Sequence, residues 1–463
     1  MKSKSYFFNI LFLGLFIISL SFVGIGYYHL INTNSFTSVK ACDEEIQREP
    51  IVLWNETYGG YFQETAQSII KCPGGYAIAG WTNSSGKGDL DILLLRIASD
   101  GTYLWNRTFG DVEEDKGFQV INCQAGGFAL VSTYKNTTAA VHNNDVLVSR
   151  IAANGNVIWN FSYSGPEQTA SHWISDLGRS IVECSNGDLV CAGVTNTAVG
   201  DGDVWMFRLS PTGVKLWDRT YHNWDTDRCY TPHSLVLCSD DGFAFTGYTY
   251  NSTKTNTVWV VRTNAAGQHL WNKTYGDDIG YQRPEALIEC SDLGFAIIAN
   301  THSFGAGGAD AWIIRTDRFG VQLWNKTFGG VEEDGGGHIV ELPDNGFTFV
   351  GGTHSYDMGQ GDIWLVRTDA DGNHIWNYTF GDPYGNSGAA LVYEGNSTYT
   401  IVGGTLYLGE PFGDIWVLKV YIHETTITPT NTSPNVGFIM TFEILFIVVL
   451  INQIKSKKRK VKK

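Results

Sequence analysis

The chain has 463 residues, of which 53 are glycine, and aromatic residues make up 13% of it. This composition favours many short strands, tight turns and a core of large side chains. The formal net charge is −15, and the stretch between Lys4 and the basic tail after residue 454 holds 23 basic against 47 acidic residues. A body this acidic argues against nucleic acid as a partner.

The chain begins with an apolar segment. Residues 6–31 are apolar and follow Lys2 and Lys4, so they predict either a signal peptide or an uncleaved signal-anchor helix. No convincing small-residue cleavage site follows, which favours the anchor. Residues 1–5 are then a cytoplasmic N-terminus, and residues 32–50 are a linker.

Residues 51–421 repeat one pattern seven times, marked by a tryptophan near the end of an extended segment. These tryptophans are Trp54, Trp105, Trp159, Trp217, Trp271, Trp324 and Trp376. Their spacings are 51, 54, 58, 54, 53 and 52 residues, a period typical of propeller and kelch repeats. Each copy predicts four strands, and the fourth carries the tryptophan. A single such sheet cannot bury both of its apolar faces, so the sheets must stack around an axis.

The two ends of the array are incomplete in complementary ways. It begins with a lone fourth strand at 51–58 and ends with a third strand at 414–420 that no fourth strand follows. The two remainders make one sheet. The sequence therefore predicts an all-β, seven-bladed β-propeller closed by a one-plus-three strand exchange, which removes an open sheet edge. The repeat tryptophan and the aromatic residue four positions later are predicted to pack between sheets.

The copies share a Gly-Gly-aromatic hairpin, a Gly-x-Thr, an Asp-Val/Ile-Trp strand and an Asp-x-x-Gly-x-x-x-Trp strand. In these motifs the chain resembles the β-propeller repeats of bacterial and archaeal cell-surface proteins, of kelch-like or SBBP-like type. The kelch resemblance rests on Gly351-Gly352 and Gly403-Gly404, whereas Val131-Ser132 and Ala299-Asn300 stand at that place in other copies. The motifs are structural, so the resemblance implies a fold and no single activity.

An aspartate opens the third strand in six copies, and an asparagine opens it in the remaining one. These residues are Asp91, Asp145, Asp203, Asp310, Asp362, Asp414 and Asn256. They either cap their own loops or ring a channel that holds cations, and capping is the favoured interpretation. Calcium is suggested only by Asp89 with Asp91 and by Asp201 with Asp203, and neither pair has the spacing of a known calcium loop. We expect no cofactor.

Five of the eight cysteines occupy one repeat position, at the end of the first strand. They are Cys72, Cys123, Cys184, Cys238 and Cys290. Equivalent positions in separate blades lie too far apart for a disulfide, so these five are predicted to be small core residues. Cys42, Cys191 and Cys229 fall outside the pattern, and the sequence leaves their disulfide state open.

The chain contains eleven Asn-x-Ser/Thr sequons, and six of them directly follow the repeat tryptophan. On a strand, the asparagine and the hydroxyl residue two positions later share the face opposite that tryptophan, which exposes the acceptor on an outermost strand. N-glycosylation is therefore predicted, and the alternative is that these are merely good polar edge residues. The sequon asparagines are Asn55, Asn83, Asn106, Asn136, Asn160, Asn251, Asn272, Asn325, Asn377, Asn396 and Asn431.

Two long loops that join a fourth strand to the next first strand depart from the short acidic pattern of the others. They span 164–177 and 222–232 and enter the third and fourth blades, on the face of the long connections where function is expected. Their candidate ligand-binding residues are His172, Trp173, Asp176, His222, Trp224, Asp225 and Arg228. Exposed indoles beside these polar groups predict a carbohydrate or protein site. The alternative is a loop that packs on itself.

The end of the chain predicts a membrane anchor. Residues 422–436 form a Thr/Pro-rich stalk, 437–454 a transmembrane helix, and 455–463 a basic tail. By the positive-inside rule the tail is cytoplasmic and the propeller lies outside the cell membrane. The tail also resembles a nuclear localisation signal, but beside an apolar span the stop-transfer interpretation is favoured.

The sequence thus predicts a membrane-anchored surface propeller that acts as a binding or scaffold module, with a surface glycan or a protein as ligand and no catalytic residues. The alternative is an enzyme, either a glycan-processing propeller or a quinone-dependent dehydrogenase. Seven copies rather than eight and the lack of an adjacent cysteine pair argue against the dehydrogenase. Paired carboxylates for glycoside hydrolysis cannot be picked out.

Overall fold

The computed structural model describes residues 49–423, except for gaps at 137–142, 166–174, 198–199, 223–226, 229–230, 232, 251–254, 278–279, 358 and 406–412. Within these residues, 29 strands form seven antiparallel sheets, and no helix is present. No helix long and apolar enough to cross a membrane occurs in this part of the chain. The predicted anchor segments and the stalk lie outside it.

The strands follow one another blade by blade, and the first of them belongs to the last blade. Blade one contains β2 (Glu64–Cys72), β3 (Gly75–Thr82), β4 (Asp91–Ala98) and β5 (Tyr103–Phe109). Blade two contains β6 (Lys116–Asn122), β7 (Phe128–Asn136), β8 (Asn143–Ile151) and β9 (Val157–Tyr163). Blade three contains β10 (Leu177–Glu183), β11 (Leu189–Thr197), β12 (Gly200–Leu209) and β13 (Lys215–Tyr221). Blade four contains β14 (Asp227–Arg228), β15 (Leu235–Leu237), β16 (Phe243–Tyr250), β17 (Asn256–Thr263) and β18 (His269–Tyr275).

The remaining three blades complete the ring. Blade five contains β19 (Gln282–Glu289), β20 (Phe295–Thr301), β21 (Asp310–Thr316) and β22 (Gln322–Phe328). Blade six contains β23 (Asp334–Glu341), β24 (Phe347–Thr353), β25 (Asp362–Thr368) and β26 (His374–Phe380). Blade seven contains β27 (Asn386–Gly395), β28 (Thr398–Thr405), β29 (Asp414–Tyr421) and β1 (Ile51–Tyr58). The first strands of neighbouring blades contact one another, so they surround the axis, and the fourth strands form the rim.

The closure of the ring is the predicted one-plus-three exchange. Strand β1 pairs antiparallel with β29, with Ile51 opposite Tyr421 and Thr57 opposite Trp416. The first strand of the array therefore supplies the rim strand of the last blade. The prediction of a seven-bladed propeller is confirmed.

The hydrophobic core is divided into seven clusters, and each lies between two adjacent blades. The repeat tryptophans take part as predicted. Trp54 packs on Tyr76 of the next blade, and its Nε1 donates a hydrogen bond to the Ser99 carbonyl at 3.2 Å. Gly101 lies against the same indole with φ of +87°, a conformation that favours glycine. The same arrangement recurs between other blades. In four cases the tyrosine four residues after the tryptophan donates a hydrogen bond from its hydroxyl to the carbonyl of the equivalent turn glycine in the next blade.

The aspartates and cysteines of the repeat also have structural roles. Asp91 Oδ2 accepts hydrogen bonds from two backbone amides of its own loop at 2.9 and 3.0 Å, and Asp310 Oδ2 accepts one at 2.9 Å. Capping is therefore the observed role at both positions. The five repeat cysteines are buried and unbridged, as predicted, and so is Cys191. Cys42 and Cys229 lie outside the described residues.

Candidate functional site

A β-bulge recurs at the same place in six of the strands that surround the axis. The register of the first strand shifts around one residue in blades one, two, three, five, six and seven. The bulged residues are Gln67, Phe118, Arg179, Glu285, Gly337 and Ala389. Bulges bend a strand and redirect a side chain, and they are frequent next to active sites. At this level six of the seven blades therefore carry one bulged residue that varies from copy to copy.

A cavity of about 550 Å³ opens where the bulged residues are small. Blades six and seven contribute Gly337 and Ala389 together with neighbouring glycines, whereas blade five contributes Glu285. We call this cavity the axial pocket. It lies among the long connections, on the face where the sequence predicts function, but over blades five to seven. Its volume falls within the range of small-molecule sites.

Glu285 is the most unusual group in the axial pocket. Its side chain is 13% exposed, and its Oε1 accepts a hydrogen bond from Asn300 Nδ2 at 3.0 Å and lies 3.1 Å from Arg283 Nε. Asn300 Oδ1 in turn accepts a hydrogen bond from Gly336 N at 2.8 Å, so the amide is held between blades five and six. Among the described residues both polar contacts of the carboxyl involve Oε1, so Oε2 is available to a ligand.

Burial raises the pKa of Glu285 to about 7, although Arg283 and Asn300 oppose this effect. A carboxyl group whose pKa is raised in the folded state favours folding below its ordinary pKa and loses that contribution as the pH rises towards 7. The group therefore costs stability at and above neutral pH, a common property of functional sites.

We expect Glu285→Gln to stabilise the protein at pH 8. The free energy of unfolding should rise by about 1 kcal/mol, less than the full linkage value because the pocket is open to water. At pH 4 the wild-type carboxyl is already protonated, so the two proteins should have equal stability. Urea denaturation at both pH values measures the difference. A variant that is less stable at pH 8 would contradict the raised pKa.

Aromatic and imidazole groups complete the wall of the axial pocket. His354 Nδ1 lies 3.1 Å from the Glu333 carbonyl, and since a carbonyl only accepts, Nδ1 carries the proton and Nε2 is left as an acceptor. Tyr281 is 45% exposed and contacts the ring of His302 edge to face, with centroids 6.1 Å apart. The pocket thus combines donors, acceptors and an aromatic surface.

Two histidines meet across the axis close to this level: His338 directly follows the bulged Gly337, and His233 lies two residues before β15. The ring centroids of His233 and His338 lie 4.3 Å apart, and Gln119 Nε2 lies 3.2 Å from His233 Nδ1. These residues belong to blades four, six and two, which are not neighbours, so their contacts span the channel. Burial lowers the pKa of His338 to about 4 and also lowers that of His233. Neutral side chains therefore occupy the axis at this level.

The loop residues predicted from the sequence are only partly described. His172, Trp173, Trp224 and Asp225 lie outside the described residues, as does the environment of the Arg228 side chain. His222 is exposed, whereas Asp176 is buried and its Oδ2 accepts a hydrogen bond from Gly165 N at 2.9 Å. Asp176 thus caps a loop. A ligand site on these two loops stays a prediction.

Metal ligands are not grouped in the part of the chain that is described. No set of three or more His, Cys, Asp or Glu side chains there lies close enough to hold an ion. The calcium candidates Asp89 and Asp91 have no third ligand of these types among those residues.

Sequence reasoning missed the axial pocket, although the repeat contained a signal for it. Asn300 stands where blades six and seven have the second residue of a Gly-Gly pair. Glu285 is likewise charged at a place where the next two blades have Gly337 and Ala389. Departures from the repeat on the strands nearest the axis mark the site. They were visible in the alignment of the copies, but the bulge that directs them to the axis was not.

The fold and its axial pocket define a seven-bladed β-propeller with a polar cavity on the face of its long loops. No protein-family model matches the chain, and no curated protein sequence matches it.

Several solved structures are similar to this chain at low sequence identity. A puromycin hydrolase is 13% identical over 74% of this chain and 50% of its own, with a TM-score of 0.47. A polysaccharide lyase is 8% identical over 79% and 90% of the two chains, also with a TM-score of 0.47. The β-propeller domain of the Trilobed protease from Pyrococcus furiosus is 7% identical over 81% and 100%, with a TM-score of 0.41. Similarities this low concern the fold alone.

Proposed function

We propose that this protein is a membrane-anchored surface propeller that binds a polar, hydroxyl-rich ligand, such as the end of a glycan chain, in the axial pocket. The observation that carries this proposal is the Glu285 carboxyl, which is fixed through one oxygen and has the other available to a hydroxyl group. A buried charge that costs stability is retained where it serves binding or catalysis.

The surrounding groups suit a neutral ligand that both donates and accepts hydrogen bonds. Arg283 lies beside Glu285, and Glu333 and Asp334 also line the pocket, so the local charge does not favour an anion. His354 Nε2 accepts, the remaining guanidinium nitrogens of Arg283 donate, and the exposed ring of Tyr281 offers a face on which a sugar ring stacks. This combination is typical of carbohydrate sites.

A second cavity beside the axial pocket favours a ligand of several sugar rings rather than a single ring. It has a volume of about 280 Å³, and it shares His354 and Ser387 with the axial pocket. It continues towards blade one, where Glu64 and Gln63 contribute to its wall. A chain of sugars lying across His354 would contact both cavities, so affinity should increase with chain length.

Binding of the purified protein to a glycan array tests this function, with Glu285→Gln and Asn300→Ala as pocket variants. Glu285→Gln removes the carboxylate, and Asn300→Ala removes the amide that orients it. We expect either change to lower affinity by about tenfold or more because a buried polar group of the ligand or protein loses its partner. His222→Ala is the matched control, since His222 is exposed on the same face but outside the pocket.

The same array separates the axial pocket from the predicted loop site. Trp173→Ala combined with Trp224→Ala should leave glycan binding intact if the ligand occupies the axial pocket. Should this double variant lose binding while Glu285→Gln keeps it, the loops that enter blades three and four are the site instead. Loss of binding in the His222→Ala control would also contradict the proposed location.

Catalysis at the axial pocket is a second candidate, favoured by the pKa of about 7 of Glu285. A carboxyl group with this pKa exchanges a proton at neutral pH, as a general acid or base does. The array ligand incubated with the protein distinguishes the two functions. Product that forms with the wild type and not with Glu285→Gln establishes an enzyme, whereas an unchanged ligand that stays bound establishes a binding protein.

A further inference from the structure

A ring of exposed aliphatic side chains surrounds the propeller at its rim. Each stands directly before a repeat tryptophan, and their exposed fractions range from 40 to 58%. We call this ring the rim row; it consists of Leu53, Leu104, Ile158, Leu216, Leu270, Leu323 and Ile375. All seven lie on the fourth strand of a blade, and no strand of the described residues pairs with its outer edge. Apolar side chains on open strand edges promote association between copies unless something covers them.

In six of the seven blades an asparagine of an Asn-x-Ser/Thr sequon stands two residues after the rim-row residue. The register with the third strand shifts at every rim-row residue, so each of them is the extra residue of a β-bulge, and the asparagine follows it within roughly 6.7 Å along the strand. Five of these asparagines are exposed and Asn377 is half-buried. Each rim-row residue in these blades therefore lies close enough to a sequon for the first sugars attached there to reach it.

We propose that these six asparagines carry N-linked glycans, and that the first sugars of each glycan cover the adjacent rim-row residue. In the linkage step, asparagine Nδ2 attacks the anomeric carbon of an oligosaccharide carried on a lipid diphosphate. The new C–N bond forms as the C–O bond to the diphosphate breaks; the amide loses one proton and the lipid diphosphate leaves. This inference is independent of the axial pocket.

The side-chain contacts of two asparagines agree with attachment at Nδ2. Trp312 Nε1 donates to Asn325 Oδ1 at 3.1 Å, and Trp364 Nε1 donates to Asn377 Oδ1 at 3.2 Å. The indoles lie in the same blade, on the inner side of the rim strand, so they hold the carbonyl oxygen inward and leave the nitrogen for the sugar. His374 Nε2 lies 2.9 Å from Asn377 Nδ2, and a glycosylated amide keeps one N–H for this contact.

Blade three is a natural exception that makes the proposal testable. Its rim-row residue Leu216 is 51% exposed like the others, but Asp218 replaces the asparagine and pairs with Lys215 at 2.9 Å. Thr220 already stands at the hydroxyl position. One substitution, Asp218→Asn, therefore completes a seventh sequon at an equivalent place in the fold.

Glycan occupancy is measured on the full chain produced in cells that transfer oligosaccharides to Asn-x-Ser/Thr. Peptide mass spectrometry should find glycans at Asn55, Asn106, Asn160, Asn272, Asn325 and Asn377. Asp218→Asn should gain one further glycan, and Thr327→Ala should lose the glycan at Asn325 while keeping the asparagine. Unmodified peptides at these rim positions, or a glycan that persists after Thr327→Ala, would overturn the proposal.

Coverage of the rim row is measured separately, by enzymatic removal of the glycans from the folded protein. Binding of a dye that reports exposed apolar surface should rise several-fold, and the protein should associate at concentrations where the glycosylated form is monomeric. The Asp218→Asn variant should bind less dye than the wild type before glycan removal. Dye binding that does not change on deglycosylation would show that the sugars leave the rim row uncovered.

Discussion

Deletion of β1 (Ile51–Tyr58) should abolish the closed propeller. This strand supplies the rim of blade seven, and its removal leaves β29 with an unpaired edge and leaves Tyr76 without the indole of Trp54. Loss of a complete strand and its inter-blade contacts should lower the free energy of unfolding by several kcal/mol. The open edge should also cause association between copies. Urea denaturation and size-exclusion chromatography measure the two effects.

A matched deletion controls for the loss of N-terminal residues as such. Removal of residues 1–48 leaves β1 in place and should not change the urea midpoint of the propeller.

A second comparison uses Trp54→Ala and Trp217→Ala, which remove equivalent indoles from the closing blade and from an ordinary one. If the β1 deletion denatures at the same urea concentration as the wild type, the strand exchange does not stabilise the ring.

Glu394→Gln should produce the second large loss of stability. Glu394 joins the last blade to the first, since its Oε2 lies 2.7 Å from Lys71 Nζ and its Oε1 contacts Lys419 Nζ at 3.3 Å. It also accepts hydrogen bonds from Tyr76 and Thr400. Burial alone raises the pKa of this carboxyl, but these partners outweigh it and lower the pKa to about 2. The variant should lose about 2 kcal/mol at pH 7, less than the full linkage value because the Lys71 partner is exposed to water.

The free energy of unfolding that Glu394→Gln loses should depend on pH in a way that identifies this carboxyl. A carboxyl group whose pKa is lowered in the folded state contributes its stability above the ordinary pKa and loses it as the pH falls through the folded-state value. The difference between the wild type and Glu394→Gln should therefore be constant above pH 5, shrink between roughly pH 4.5 and 2, and vanish below. Glu56→Gln is the control, because Glu56 is exposed on the rim strand. An equal effect of both substitutions would contradict the role of the network.

The ring itself was predictable because its signals are local and repeated. Trp54 and its six equivalents mark every blade, and the unpaired strand pieces at the two ends of the array indicate how the ring closes. The tryptophans also fulfil the packing role predicted for them, on turns such as that of Gly101. A signal that occurs seven times is robust to the variation of any one copy.

The axial pocket was not predictable in the same way, because it depends on the positions at which the copies differ. Glu285, Gly336 and Ala389 belong to three blades and meet only through the ring geometry. The bulge that redirects residue 285 is a matter of strand register, which the alternation of side chains does not reveal. The sequence predicts a site on the loops of Trp173 and Trp224, because tryptophan beside charged residues is typical of binding sites, whereas a run of glycines by itself predicts none.

The register of the closing strand has a mechanical consequence. Ile51 lies opposite Tyr421, so the two ends of the described chain leave side by side from one end of the β1–β29 pair. A force that separates these ends pulls perpendicular to the strands. Because the hydrogen bonds of the pair also lie perpendicular to the strands, the force breaks them one after another, beginning at the Ile51 end. A pair loaded along its length would share the force among all of its bonds. Tension between the two ends therefore peels away β1 first and opens the ring before any other blade carries load.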